Sequence, residues 1–329
     1  MSRIGILGAG AWGLALASVA ERAGHEAIVW ARNAETAALI NQTHRLEKRL
    51  PGIEFGARLR ATGDPADLAG ADAVLAVVPA QVLRQVLTQF SFLRVPVILC
   101  AKGIEADTGL LMNEVLAQCL AGVPGLILSG PSFAADVARG LPTAVTLAAP
   151  DLRLAKQWAA ALSLPTFRIY PSDDPRGVEL GGAVKNVLAI ACGIAAGKNL
   201  GDSARAALTT RAFTELTRFG KALGGRPETL TGLSGLGDLL LTCSSRQSRN
   251  YSFGVALGAG KSTAAALAEA KGTVEGIATA RIVARLARAQ NIDMPISAAV
   301  AAVIDGGSDP ETEIARLLAR PVNPEFHRG

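Results

Sequence analysis

The chain has 329 residues, 50% of them apolar and 19% charged, so it can bury a large core, and bulk disorder is excluded. A net charge of +5 with no clustered basic run argues against a nucleic-acid footprint and suits a small anionic ligand. The cysteines Cys100, Cys119, Cys192 and Cys243 stand far apart, and the histidines are only His25, His44 and His327, so a metal site is not expected and free thiols in a reducing cytoplasm are.

The length suggests roughly two domains. Arg3 to Leu7 reads as a short apolar strand. Gly8-Ala9-Gly10-Ala11-Trp12-Gly13 follows it and opens a helical run, Leu14 to Ala23. The glycines also interrupt what would otherwise resemble a signal peptide. A second strand, Glu26 to Trp30, completes a strand–helix–strand unit, the context in which a Gly-x-Gly-x-x-Gly turn binds a dinucleotide. Gly8 allows the tight turn. Gly10 lets a pyrophosphate reach the backbone, and Gly13 lets helix and strand pack closely. Beyond the second strand, Ala31-Arg32-Asn33 replaces the acid that would hold a ribose 2′-hydroxyl. Arg32 can pair with a 2′-phosphate, which favours NADPH over NADH, or it is a solvated surface arginine.

Further strands are expected at Arg58 to Ala61, Ala73 to Val78, Val95 to Cys100, Leu126 to Leu128, Thr143 to Leu147 and Thr166 to Tyr170. Helices are expected at Gln81 to Gln89, Leu110 to Leu120, Ala134 to Arg139 and Leu152 to Leu162. Such alternation predicts a mostly parallel, doubly wound sheet of Rossmann type, with ligands beyond the carboxyl ends of its strands. Lys102 stands at one such end. Gly130 and Ser132, in Ser129-Gly130-Pro131-Ser132, stand at another. Residues His44 to Gly56 read as a long loop without assigned chemistry.

From Glu179 onward the pattern is almost wholly helical. We place a dinucleotide-binding domain at residues 1–178 and an all-α substrate domain at 179–329. Glu179-Leu-Gly-Gly-Ala-Val-Lys-Asn186 sets Lys185 at the head of an apolar helix, with Gly181 and Gly182 on the same face. That is either a reactive ammonium with room beside it or a snorkelling lysine at a domain junction. A helix reaching about Leu223 is capped by Asp202 or Ser203. The glycine-dense run Thr231 to Gly237 delivers Asp238 into a site, or as a helix N-cap. Ser248-Arg249-Asn250 combines a hydroxyl, a guanidinium and an amide, a donor set suited to phosphate or a solvated basic turn. Helices over Val274 to Ala289, Ile296 to Ile304 and Glu311 to Ala319 read as scaffold, with Glu275 at a helix start where it can touch a cofactor. No run of 18 uninterrupted apolar residues occurs, so no membrane span is expected. The tail from Pro321 is expected to be loose.

With these pieces in order the chain resembles the bacterial NAD(P)-dependent glycerol-3-phosphate dehydrogenases over nearly its whole length. The resemblance rests on the glycine turn at 8–13, Ala101-Lys102-Gly103, Ser129 to Ser132, Glu179 to Asn186, Gly232 to Asp238 and Ser248 to Asn250. It implies reduction of dihydroxyacetone phosphate to sn-glycerol 3-phosphate for phospholipid synthesis. By motif, Lys185 is implied as the general acid/base, and Lys102, Gly130, Ser132, Asp238, Ser248, Arg249 and Asn250 as the substrate shell. Ala11, Trp12, Arg32, Lys102, Ala134, Arg249, Thr273 and Glu275 are implied as cofactor contacts. Dimers are common among such enzymes, so a cytoplasmic homodimer is expected. Burial and Lys102 would lower the pKa of Lys185 while Asp238 would raise it, and the sequence leaves the balance open. A keto-acid or hydroxyacyl reductase of the same plan would more naturally use a His–Glu pair or a carboxylate-binding arginine. A non-catalytic NADPH sensor would have no use for Lys185, Asp238 and Ser248 to Asn250 together.

Overall fold

The structure is a computed structural model that describes residues 1–270, 272–322 and 324. His327 and most of the tail beyond Val322 lie outside the described residues. Eight strands form one sheet: β1 (Arg3–Leu7), β2 (Glu26–Trp30), β3 (Leu59–Thr62), β4 (Ala73–Ala76), β5 (Val97–Leu99), β6 (Gly125–Ser129), β7 (Thr143–Ala148) and β8 (Phe167–Ser172). Their order is β3-β2-β1-β4-β5-β6-β7-β8. β1 to β6 run parallel, β7 is antiparallel to β6, and β8 is parallel to β7. All eight expected strands are present. The central ones are continuously apolar because both faces of a parallel sheet are covered.

The helices that cover the sheet are α1 (Ala11–Arg22), α2 (Ala34–Thr43), α3 (Leu83–Gln89), α4 (Met112–Cys119), α5 (Ala134–Ala138) and α6 (Leu152–Leu162). One core packs α1 and α6 against one sheet face, and another packs α3 and α4 against the opposite face. The strand order reverses between β2 and β4, the neighbours of β1: Leu7 is in register with Trp30 on one side and Ala76 on the other. A crevice opens beyond the carboxyl ends at such a reversal. The loop at residues 44–56 is tied down: buried Glu21 accepts from the amides of Gly56 (2.9 Å) and Arg58 (3.0 Å).

The remaining chain is helical: α7 (Pro175–Gly197), α8 (Asp202–Ala222), α9 (Pro227–Leu230), a π-turn at Leu233–Gly237, α10 (Asp238–Ser244), α11 (Arg249–Gly258), α12 (Thr263–Glu269), α13 (Glu275–Ala289), α14 (Pro295–Ile304) and α15 (Pro310–Leu318). Helices α2, α9, α11 and α12 were not expected from the sequence. The start of α7 also corrects an expectation. Asp174 caps it by accepting from Gly177 N (2.9 Å), with Pro175 in the first turn, so the helix begins ahead of the expected junction at 178/179 and Lys185 lies near its middle rather than its head. By length and apolarity α7 could cross a membrane, but 89% of its apolar window is buried inside the protein, and it is the core helix of the helical layer.

Close backbone contact sets the crossing of α7 and α11. A Cβ on Gly193 would stand 2.1 Å from Tyr251 O, and one on Gly254 would stand 2.2 Å from Ile190 O. Gly197 and Gly258 repeat the contact one turn on: their Cβ atoms would stand 2.3 Å from Val255 O and 2.3 Å from Ile194 O. Only glycine at all four positions lets the helices approach this far, and the approach brings the start of α11 against the middle of α7.

Candidate active site

The glycine turn at the end of β1 is built as its spacing predicts. Gly8 has φ +113°, and a Cβ there would lie 2.8 Å from Val77 O; a Cβ on Gly13 would lie 2.0 Å from Gly8 O. Gly10, by contrast, has open space where a side chain would stand, and it caps α1 without any side-chain bond. The first-turn amides of α1 therefore face a cradle that admits a pyrophosphate. Trp12 and Ala134 flank the turn, half-buried against the sheet core. Arg32 is exposed just past β2, and its neighbour Asn33 caps α2 by accepting from Thr36 N (3.0 Å).

Lys102, Lys185 and Asp238 come together from three elements. Lys185 is 6% exposed and donates to Asp238 Oδ1 (2.5 Å) and Thr242 Oγ1 (2.9 Å). Lys102 donates to Asp238 Oδ2 (2.6 Å) and to Gly130 O (3.1 Å). One buried carboxylate thus serves two ammonium groups, one from the sheet side and one from the helical side. Asp238 opens α10, but its carboxylate faces the lysines instead of capping the helix. Burial works against its charge, yet Lys102 and Lys185 outweigh burial and hold its pKa below the ordinary carboxylate value. For Lys185 the balance falls the other way. Burial lowers its pKa to about 8, assisted by Lys102 and opposed by Asp238.

Glycines make this approach possible. A Cβ on Gly182 would sit 2.7 Å from Ser129 Oγ and 3.5 Å from Lys102 Cγ. On Gly181 it would sit 2.8 Å from Ser234 O, in the π-turn that leads to Asp238. Ser132 Oγ donates to Gly130 O (3.1 Å), so the loop after β6 closes the same wall.

The start of α11 forms the rim. Ser248 caps that helix by accepting from Tyr251 N (3.2 Å), and Arg249 is exposed beside it. Asn250 is buried and its amide is engaged at both ends: Nδ2 donates to Asn186 Oδ1 (2.9 Å), and Oδ1 accepts from Gly276 N (2.9 Å). Asn186 in turn donates to Lys102 O (3.2 Å). Thr273 is exposed ahead of α13. Glu275 accepts from Ala80 N (3.3 Å) beyond β4, and its Oε2 is buried without a partner among the described residues. A buried acceptor left open at the crevice fits a ligand donor. Thr242 was not singled out in the sequence, and Glu179 and Asn186 stood there only as the ends of the Lys185 motif, without a role. Thr242 was findable, since it stands one helical turn after Asp238.

This arrangement can move a proton at a buried amine, bind an anion at the rim and cradle a dinucleotide at the turn. The chain is similar along nearly its whole length to proteins of one family. The family model for the NAD-dependent glycerol-3-phosphate dehydrogenase N-terminus matches residues 3–155, and that for the C-terminus matches residues 174–315. Glycerol-3-phosphate dehydrogenase [NAD(P)+] of Parvibaculum lavamentivorans is 53% identical over 327 residues, covering 98% of each chain. The protein of the same name from Methylobacterium radiotolerans is 55% identical over 328 residues, again covering 98% of each. The crystal structure of glycerol-3-phosphate dehydrogenase from Coxiella burnetii superposes with a TM-score of 0.92 at 40% identity, covering 97% of this chain and 99% of that one.

Proposed function

The chain belongs to the NAD-dependent glycerol-3-phosphate dehydrogenase family, and from that premise we propose that Lys185 is the general acid/base of its reaction. The reaction is hydride transfer between NAD(P)H and dihydroxyacetone phosphate, giving sn-glycerol 3-phosphate for glycerophospholipid synthesis. The nicotinamide, when bound, supplies the hydride. Lys185 donates a proton to the ketone oxygen as reduction proceeds, and as a neutral amine it accepts one in the reverse direction. A pKa of about 8 leaves both forms accessible near neutrality. Asp238 and Thr242 orient the amine, and Lys102 adds a second positive charge to polarise the carbonyl.

Arg249 grips the substrate phosphate, helped by the Ser248 hydroxyl, while Gly130 and Ser132 line the wall opposite. Asn250 supports this shell by holding α11 to Asn186. Gly8, Gly10, Ala11, Trp12 and Gly13 hold the coenzyme pyrophosphate, Arg32 the adenosine 2′-phosphate, and Ala134, Thr273 and Glu275 the nicotinamide half. We place the domain division at the start of α7, a few residues before 178/179, and the working form as a cytoplasmic homodimer, which sedimentation would test.

The burial of the Lys185 amine in contact with Asp238 is the observation that supports this reading most. The test follows NADPH absorbance with dihydroxyacetone phosphate. Lys185→Ala should lower turnover by roughly two to four orders of magnitude while the protein stays folded. Near-normal turnover would remove the lysine from the mechanism.

A further inference from the structure

Helix α4 follows directly from the loop that carries Lys102. That loop leaves β5 at Cys100, presents Lys102, and returns as a tight hairpin in which Ile104 bridges Leu111 and Glu105 N donates to Leu110 O (2.9 Å). Leu111 is the residue ahead of the helix and has no side-chain oxygen with which to cap it. Glu114 covers the Leu111 amide (2.8 Å). The amide of Asn113, in the first turn, donates to Glu179 Oε1 (2.8 Å). Glu179 belongs to α7, is 8% exposed, and reaches across from the helical layer to do this. A helix on the sheet side therefore takes part of its N-terminal cap from the helix that bears Lys185.

We infer that Glu179 is a positioning residue for the reaction: by capping α4 from α7 it fixes the Lys102 loop relative to the Lys185 helix, and so sets both ammonium groups around Asp238. This rests on the assignment of Lys185 given above. Other ties hold the loop to the sheet layer. Arg84 pairs with Glu105 (2.8 Å), and Gln81 Nε2 donates to Ile104 O (2.8 Å). Arg285 on α13 donates to Ala106 O (3.0 Å), but it grips the middle of the hairpin rather than its return into α4. Three contacts join this segment to the lysine-bearing helix: Asn186 donates to Lys102 O (3.2 Å), Arg176 pairs with Glu114, and Glu179, the most buried of the charged ones, takes the α4 amide directly. The charged groups near it are Glu114 and Arg176, which pair with each other at 3.2 Å. Burial raises the Glu179 pKa to about 8, so below that pH it caps α4 as a neutral acid. An uncharged amide should replace it well, because one carbonyl acceptor is what the contact requires.

The experiment compares Glu179→Leu, Glu179→Asp and Glu179→Gln in the full-length protein, with Lys185→Ala as reference. Glu179→Leu removes the acceptor, and Glu179→Asp withdraws it by one methylene. Both should lower kcat at least tenfold, move the alkaline limb of the kcat profile away from wild type, and leave KM for NADPH within about twofold. Glu179→Gln should restore kcat to within about threefold of wild type. If Glu179→Leu does not fold, Glu179→Asp carries the comparison. A folded Leu or Asp variant with wild-type kcat and pH profile overturns the inference. So does a Gln variant as impaired as the others. If Lys185→Ala is itself active, the failure lies with the lysine assignment, because the Glu179 result is then judged against a centre that does not transfer the proton.

Discussion

Replacing Asp238 with asparagine probes the balance on which the proton transfer rests. The carboxylate accepts from Lys185 at 2.5 Å and from Lys102 at 2.6 Å, and the side chain is almost fully buried. Even with that anion in contact, the pKa of Lys185 falls from 10.5 to about 8. At about 1.4 kcal/mol per pH unit, this amounts to about 3 kcal/mol in favour of the neutral amine. Asparagine keeps an acceptor but removes the charge that opposes that fall, so the pKa should drop further. Ketone reduction needs the protonated amine. Its alkaline limb, expected near pH 8 in the wild type, should therefore move down by about one unit or more, and kcat at pH 7 should fall about twofold for a shift of one unit and about tenfold for two.

Stability should change with a definite sign. The folded pKa of Lys185 lies below its unfolded value, so between about 8 and 10.5 the unfolded chain binds more protons and wild-type stability rises with pH. Asp238 has a lowered folded pKa, so its stabilisation is present above the ordinary carboxylate value and is lost as pH falls through the lowered one. Breaking a buried pair costs about 3–5 kcal/mol, and the retained amide acceptor places this variant at the lower end. The stability gap between wild type and Asp238→Asn should therefore narrow in acid. The assays are the pH profile of NADPH oxidation and urea unfolding across the same range. A folded variant whose alkaline limb stays in place, or moves upward, would refute the reasoning.

Two other perturbations separate packing from recognition. Gly193→Ala places a methyl 2.1 Å from Tyr251 O, so α7 and α11 must part by about an ångström. Overpacking of this kind costs about 1–3 kcal/mol, only partly offset by a helix-propensity gain of ~1 kcal/mol. Because α11 begins with Ser248 and Arg249, KM for dihydroxyacetone phosphate should rise while KM for NADPH holds; a rise in both would place the damage elsewhere. Arg32→Ala should weaken NADPH by roughly tenfold and NADH little, as expected for one charged contact to a 2′-phosphate. Equal losses in direct binding measurements would remove the 2′-phosphate role.

Local signals were legible wherever the chemistry is local. Short apolar runs marked the central strands, which are buried on both faces and have no polar side to show, while the outer strands β3 and β8 alternate buried and exposed residues. The spacing of Gly8, Gly10 and Gly13 announced the dinucleotide turn, since each glycine answers a constraint within a few residues of itself. Helices were less legible where caps and glycines cut across periodicity. The crossing glycines on α7 and α11 gave no local signal of their role, because each is a contact surface for the other helix. Asp174 and Pro175 moved the start of α7 forward, and so moved Lys185 from the head of the helix to its middle.

The residues themselves determined which groups were available: two lysines, one aspartate, a phosphate-suited rim and a coenzyme turn. Only the tertiary structure decided how they are joined. Lys185 and Asp238 are 53 positions apart, and Lys102 and Asp238 are 136 apart, so no periodicity relates them. The competition between burial and charge that lowers the lysine while keeping the aspartate ionised depends on desolvation, which is a property of the closed interior rather than of any stretch of chain.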